Sequence, residues 1–148
     1  MTQTQPAPEP PIRRFQPLIG KWLLRGRTLD SAEDNIFGWN SFEWLPGGHF
    51  LKSEGEINFK GFVMQSVEII AYDAGSQTFP ASVYSSMSDE VFPYAWDFDG
   101  TTLTHAGSGA RYTGTLSPDG DTLTGGWRPD TGPATEGSAY DAIMTRVK

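Results

Sequence analysis

Three turn dipeptides restrict what this chain can fold into more than any other feature. Asp99-Gly100, Asp119-Gly120 and Gly47-Gly48 each separate two stretches in which large apolar residues alternate with polar ones. Asp-Gly suits a two-residue type I′ hairpin, whose central positions both need positive φ. A turn at Asp99-Gly100 predicts that Phe98 pairs with Thr101, Trp96 with Leu103 and Tyr94 with His105. A turn at Asp119-Gly120 predicts Leu116 opposite Leu123, Gly114 opposite Gly125 and Tyr112 opposite Trp127, with Thr115 facing Thr124 on the other side. Gly47-Gly48 sets Trp44 against Leu51 on one face and Glu43 against Lys52 on the other. Each register gathers apolar side chains on one face, and a one-residue slip would scatter them.

The rest of the chain extends this pattern. From Gly20 onward there are about ten strand candidates: 20–29, 35–45, 48–59, 62–72, 77–87, 91–98, 101–106, 110–117, 121–128 and 138–147. Five Trp, nine Phe and five Tyr populate them, and many of the 17 Gly and 11 Pro fall between them. Aromatic-rich segments punctuated in this way indicate an all-β domain. A twisted meander of that many strands curls, and closure removes its exposed edges. The expected fold is an antiparallel up-and-down β-barrel of about ten strands, with a sandwich as the structural alternative. Residues 12–19 place Ile12, Phe15, Leu18 and Ile19 at near-helical spacing, and Pro17 limits any helix there to about a turn. They predict a short helical plug. The proline-rich segment 1–11 is expected to be a disordered tail, and 12–148 a single barrel domain.

Composition narrows the function classes. A chain of 148 residues without cysteine has no disulfide framework and no thiolate metal site or nucleophile. A formal charge of −7 argues against phosphate-backbone binding, so no nucleic-acid partner is expected. No apolar run approaches the roughly 20 residues of a membrane span, and no signal peptide is evident. No membrane partner is therefore expected, and a cytoplasmic location follows by default. The two histidines, His49 and His105, are too few for a convincing metal site, and no metal or cofactor is expected. Nucleophile-elbow, phosphate-loop and metalloprotease motifs are absent.

Two sets of residues carry a resemblance. Gly20-x-Trp22 in the first strand, with Arg146 near the end of the last, resembles the signature of the lipocalin and fatty-acid-binding (calycin) superfamily. That resemblance implies that Trp22 closes one barrel end and that Arg146 packs across its face. The runs WLPGGHFL (44–51), EIIAYD (68–73) and TGTLSPDGDTLTGGW (113–127) are similar to an uncharacterised lipocalin-like bacterial family of the DUF1579 type. Nitrobindins, which are haem-binding barrels, share the Gly-x-Trp start and are a more distant resemblance. Their iron-ligating histidine would fall near Ala139 and Tyr140 here, where none stands, so haem is not expected.

Alternation from Trp22 turns Leu24, Gly26 and Thr28 inward, and alternation from Arg146 turns Met144, Ala142 and Tyr140 inward. The expected ligand-binding interior is Phe42, Trp44, Leu51, Tyr94, Trp96, Tyr112, Trp127 and Tyr140, with Asn40, His105, Glu68 and Arg146 as polar groups. Apolar walls with sparse polar anchors suit a small, largely apolar molecule. In fatty-acid-binding proteins an inward arginine holds a ligand carboxylate, and the resemblance offers Arg146 for that role. Two other readings remain open at this point. One is an isomerase, cyclase or hydrolase using Glu68, His105 or a tyrosine as acid or base, and the other is a filled-core interaction domain. Trp39, on the outward parity of its strand, is a candidate homodimer contact.

Overall fold

The computed structural model describes residues 9–132 and 139–148. A 3-10 helix, Pro11–Leu18, precedes ten strands. They are β1 (Gly20–Thr28), β2 (Ile36–Trp44), β3 (Leu51–Phe59), β4 (Phe62–Ile70) and β5 (Phe79–Ser85), then β6 (Val91–Phe98), β7 (Thr102–Gly107), β8 (Ala110–Leu116), β9 (Thr122–Pro129) and β10 (Tyr140–Arg146). Each pairs antiparallel with its neighbours in sequence, and β10 returns to β1, closing the barrel. The all-β barrel expected from the alternation is therefore the fold. The tail assigned to 1–11 lies outside the described residues as far as residue 8, and Pro11 already belongs to the helix. That helix runs for eight residues rather than one turn. Its i→i+3 bonding accommodates Pro17, as short 3-10 segments do.

Two of the three predicted registers are present residue for residue. Trp44 pairs with Leu51 and Glu43 with Lys52, and Tyr112, Gly114 and Leu116 pair with Trp127, Gly125 and Leu123. The third is shifted by two. Phe98 pairs with Leu103 and Trp96 with His105, while Tyr94 meets Gly107. The loop is Gly100-Thr101 rather than Asp99-Gly100, because Asp99 caps it from outside. Its Oδ1 accepts from the N–H groups of Thr101 and Thr102 at 2.9 and 2.7 Å. Asp119 likewise accepts from the Asp121 N–H at 3.0 Å, and only Gly120 of that dipeptide has positive φ. The aspartates thus act as side-chain caps. Two-residue loops with both residues at positive φ occur instead at Lys60-Gly61 and Ser108-Gly109. A shift of two residues keeps each side chain on its face, so Tyr94, Trp96 and His105 still point inward.

The 3-10 helix covers one end of the barrel. Ile12, Phe15 and Leu18 are buried there, and Phe15 meets Phe79 edge-on at 5.0 Å and stacks near Phe98 at 6.5 Å. Ile70, Leu103 and Leu123 complete this packed floor, all 1% exposed or less. The guanidinium of Arg14 sits 4.8 Å from the Phe79 ring centre and bonds Asp97 at 2.9 Å, which pins the helix to the rim.

The seam of the barrel runs through the same end. Trp22 is fully buried, its Nε1 donates to the Leu18 carbonyl at 2.9 Å, and the Arg146 guanidinium lies 4.3 Å from its ring centre. Arg146 also donates to the carbonyls of Ile19, Pro17 and Gly120, at 2.6, 2.5 and 3.0 Å. Three backbone acceptors from two parts of the chain are satisfied by one side chain. A lysine keeps the charge but not the planar fork. Arg146→Lys is expected to lower unfolding free energy by about 2–3 kcal/mol, with unchanged denaturant m value. Urea titration followed by tryptophan fluorescence measures this, and an unshifted midpoint would refute the role of the fork.

On the outer wall, the Lys21 ammonium covers Trp39 at 4.9 Å from its ring centre. Trp39 is half-buried as a result.

Candidate functional site

Above the floor the barrel is hollow. A cavity of about 430 Å³ draws its wall from all ten strands. Asn40, Phe42, Tyr94, Trp96, His105, Tyr112, Trp127 and Tyr140 all line it, as alternation predicts. Trp44, Leu51 and Arg146 do not. Trp44 lies at the covered end, donating to Gln16 Oε1 at 2.8 Å beneath the Arg13 guanidinium. Leu51 is wholly buried in the packed floor, and Arg146 is engaged at the seam. These three share the inward parity but sit too close to the covered end. Ser53, Met64, Ser66, Val83, Ser85 and Phe92 also line the cavity. The parity of β4 and β5 could have found Met64, Ser66, Val83 and Ser85, but neither strand adjoins a turn dipeptide that fixed a register, while Ser53 and Phe92 share the inward parity of Leu51 and Tyr94 on strands that do.

Glu68 organises the polar side of this cavity. It stands on β4 next to Ile70, where the hollow meets the floor, and is 7% exposed. Its Oε2 accepts from Trp96 Nε1 at 2.5 Å and meets His105 Nε2 at 2.9 Å. A carboxylate only accepts, so this contact places the proton of His105 on Nε2 and turns Nδ1 into the acceptor when the ring is neutral. Trp96 and His105 stack at 3.8 Å with 20° between their planes, and Trp127 meets the imidazole edge at 5.1 Å. The imidazole is thus fixed by one hydrogen bond and two indoles. Beside Glu68, its cross-strand partner Ser53 donates its hydroxyl to Asn40 Oδ1 at 3.1 Å.

Tyr112 presents the opposite condition. Its hydroxyl is buried, and among the described residues it is the one such side-chain polar atom without a partner. The phenol lies over Gly114, where an added Cβ would stand 2.3 Å from the oxygen. Tyr94 lies over Gly107 in the same way, with ring carbons 2.5–2.6 Å from the position of a Cβ. Glycine beneath each ring lets it lie flat on the wall.

A wider open depression of about 810 Å³ crosses the outer faces of β1, β10, β9 and β8. Two of its four arginines are matched by carboxylates, Arg128 with Asp141 at 2.7 Å and Arg25 with Asp34 at 3.7 Å. The interior cavity, walled by aromatic rings, is the better candidate for a small apolar molecule. Among the described residues no group of three acidic, histidine or cysteine side chains could hold a metal ion. No described helix is long and apolar enough to cross a membrane.

A family model described as "Protein of unknown function (DUF1579)" matches residues 7–129. The chain belongs to this family. No curated protein matches it. The matched span of the DUF1579 barrel runs from the plug helix through β9, and so contains Glu68, Trp96, His105, Tyr112 and Trp127. Its seam partner β10 lies beyond that span.

The buried phenols give this site a pH signature. Burial pushes the Tyr112 and Tyr140 hydroxyls far above the usual tyrosine range, and a neighbouring tyrosine adds to each shift. A folded-state value above the unfolded one means that the folded form keeps its proton longer. The stabilisation is therefore complete below about pH 10 and declines as pH rises beyond it, by about 1.4 kcal/mol per pH unit for each tyrosine. Tyr112→Phe is expected to remove one such share of the alkaline slope. At neutral pH it should leave stability unchanged or slightly raised, since the lost hydroxyl had no partner. Urea unfolding across alkaline pH tests both statements, and an unaltered slope would contradict them.

Proposed function

We propose that the DUF1579 barrel binds a small, largely apolar molecule inside its cavity, in the manner of lipocalin-like carriers. The observation that carries this reading is the exposure of inward-facing residues. Ser66 points into the barrel yet is exposed, and Met87, which also lines the cavity, is 50% exposed. Solvent therefore reaches the interior from the end opposite the 3-10 helix. A cavity of about 430 Å³ falls within the usual range of small-ligand sites, roughly 300–1,000 Å³. Its aromatic wall would contribute affinity at about 25 cal/mol per Å² of apolar surface removed from water. A filled-core interaction domain is a poorer match to such a hollow.

The test is uptake of a neutral solvatochromic dye such as Nile red. The parent protein should bind it with a blue-shifted emission. Ser66→Trp, which fills the entrance, should weaken binding by about ten-fold or more, and Trp96→Ala should weaken it as well. Lys52→Ala, on the outer face beside Glu43, should have no effect. Equal effects of all three, or no uptake by the folded parent, would defeat the proposal.

The Glu68–His105 bond favours a second reading, acid–base catalysis within the same hollow. A base oriented through its far nitrogen is the arrangement that proton transfer requires. This reading would be carried by turnover of a cavity-bound substrate that His105→Gln abolishes while dye binding persists.

A further inference from the structure

The cavity is charged on one side only. Among the described residues no lysine or arginine lines it. Arg146, the one cation that parity aims inward, is held by three backbone carbonyls and the Trp22 face at the covered end. Glu68 is the carboxylate within. Glu56 also borders the cavity, but its side chain bonds Gln65 on the outer parity of β3 and β4. Both N–H donors on Glu68 share a single oxygen, Oε2. The other, Oε1, is bonded by no described residue and is not sealed off, since Tyr112 Oη is the one described atom that is both buried and unpartnered. A ligand therefore meets a carboxylate oxygen with acceptor capacity to spare, and it meets no fixed cation.

The cavity that this oxygen borders is walled by the rings of Trp96, Trp127, Phe42, Tyr94 and Tyr112. Aromatic faces carry the negative end of the ring quadrupole and attract cations. The whole chain adds a net charge of −7. Folding has already taken the carboxylate out of water, so an incoming cation loses only its own hydration, whereas an incoming carboxylate meets repulsion as well.

We infer that the ligand head group is a protonated amine, seated on Glu68 Oε1 with its apolar body against the aromatic wall. The inference rests on the cavity being the ligand site. It runs against the fatty-acid type of ligand that the resemblance of Arg146 suggests.

Three probes with one ring system test it: 2-naphthylmethylamine, 2-naphthalenemethanol and 2-naphthoate. Each is titrated against the intact protein at about pH 8, above the ordinary range of histidine. Displacement of Nile red reports binding. The amine should bind about ten-fold tighter than the alcohol, and the naphthoate weaker than both. Glu68→Gln keeps an acceptor for Trp96, and should bring the amine to the level of the alcohol in the same variant. Naphthoate binding as tightly as the amine, or an amine preference that survives in Glu68→Gln, overturns the inference. The comparison in the parent protein stands even if the variant fails to fold. Dye uptake with no preference among the probes overturns the amine assignment alone. Absence of dye uptake by the folded parent overturns the cavity reading beneath it.

Discussion

Closing a barrel requires its last strand to find its first, and here one guanidinium spans the join. Arg146 enters from the end of β10, lies on the indole of Trp22 in β1, and satisfies carbonyls from the 3-10 helix, its exit and the β8–β9 turn. Each of those carbonyls would otherwise need water or another donor near a buried end. The plug helix is therefore part of the closure and not an addition to it. Phe15 can sit on the floor because Pro17 and Ile19, just after it, are held by the last strand. Everything above the floor depends on that seal: without it the hollow would be a channel open at both ends.

The strand order and the facing of side chains were legible in the sequence because alternation is local. Once Trp44, Tyr112 and Trp127 were placed across their hairpins, their neighbours followed. The loops were less legible. Asp99 and Asp119 favour turns for two different reasons, tolerance of positive φ and side-chain bonding to nearby N–H groups. In both cases the structure uses the second, which moved one register by two residues and left its inward face intact. Height along the barrel axis was not legible at all. Trp44, Leu51 and Arg146 have the right parity, but whether a side chain faces a hollow or a floor depends on how far Ile12, Phe15 and Leu18 reach inside. That is a long-range fact, set by packing between the first 20 residues and the ends of distant strands.

The polar centre shows the same limit. Glu68, Trp96 and His105 lie on β4, β6 and β7, at separations of 28 and 37 residues. Parity turned all three inward, and the sequence contained nothing that would bring Glu68 to the other two. On β5 between them, Val83 pairs with Glu68 and Phe79 with Trp96, so the inward residue on the diagonal that joins the two is Ala81. Its short side chain leaves a path across the wall. The glycines under Tyr94 and Tyr112, which flank His105, have an equivalent effect, allowing two phenols to lie flat where any larger neighbour would force them upright.

The division of the interior into a packed lower half and a hollow upper half has an evolutionary consequence. Every strand passes through both levels, yet the side chains that hold the molecule together and those that would meet a guest are largely different residues. Replacing Ser66, Val83 or Met64 alters the shape of the chamber without disturbing Phe15, Trp22 or Phe98. Descendants of such a barrel are free to reshape the chamber while keeping a common foundation.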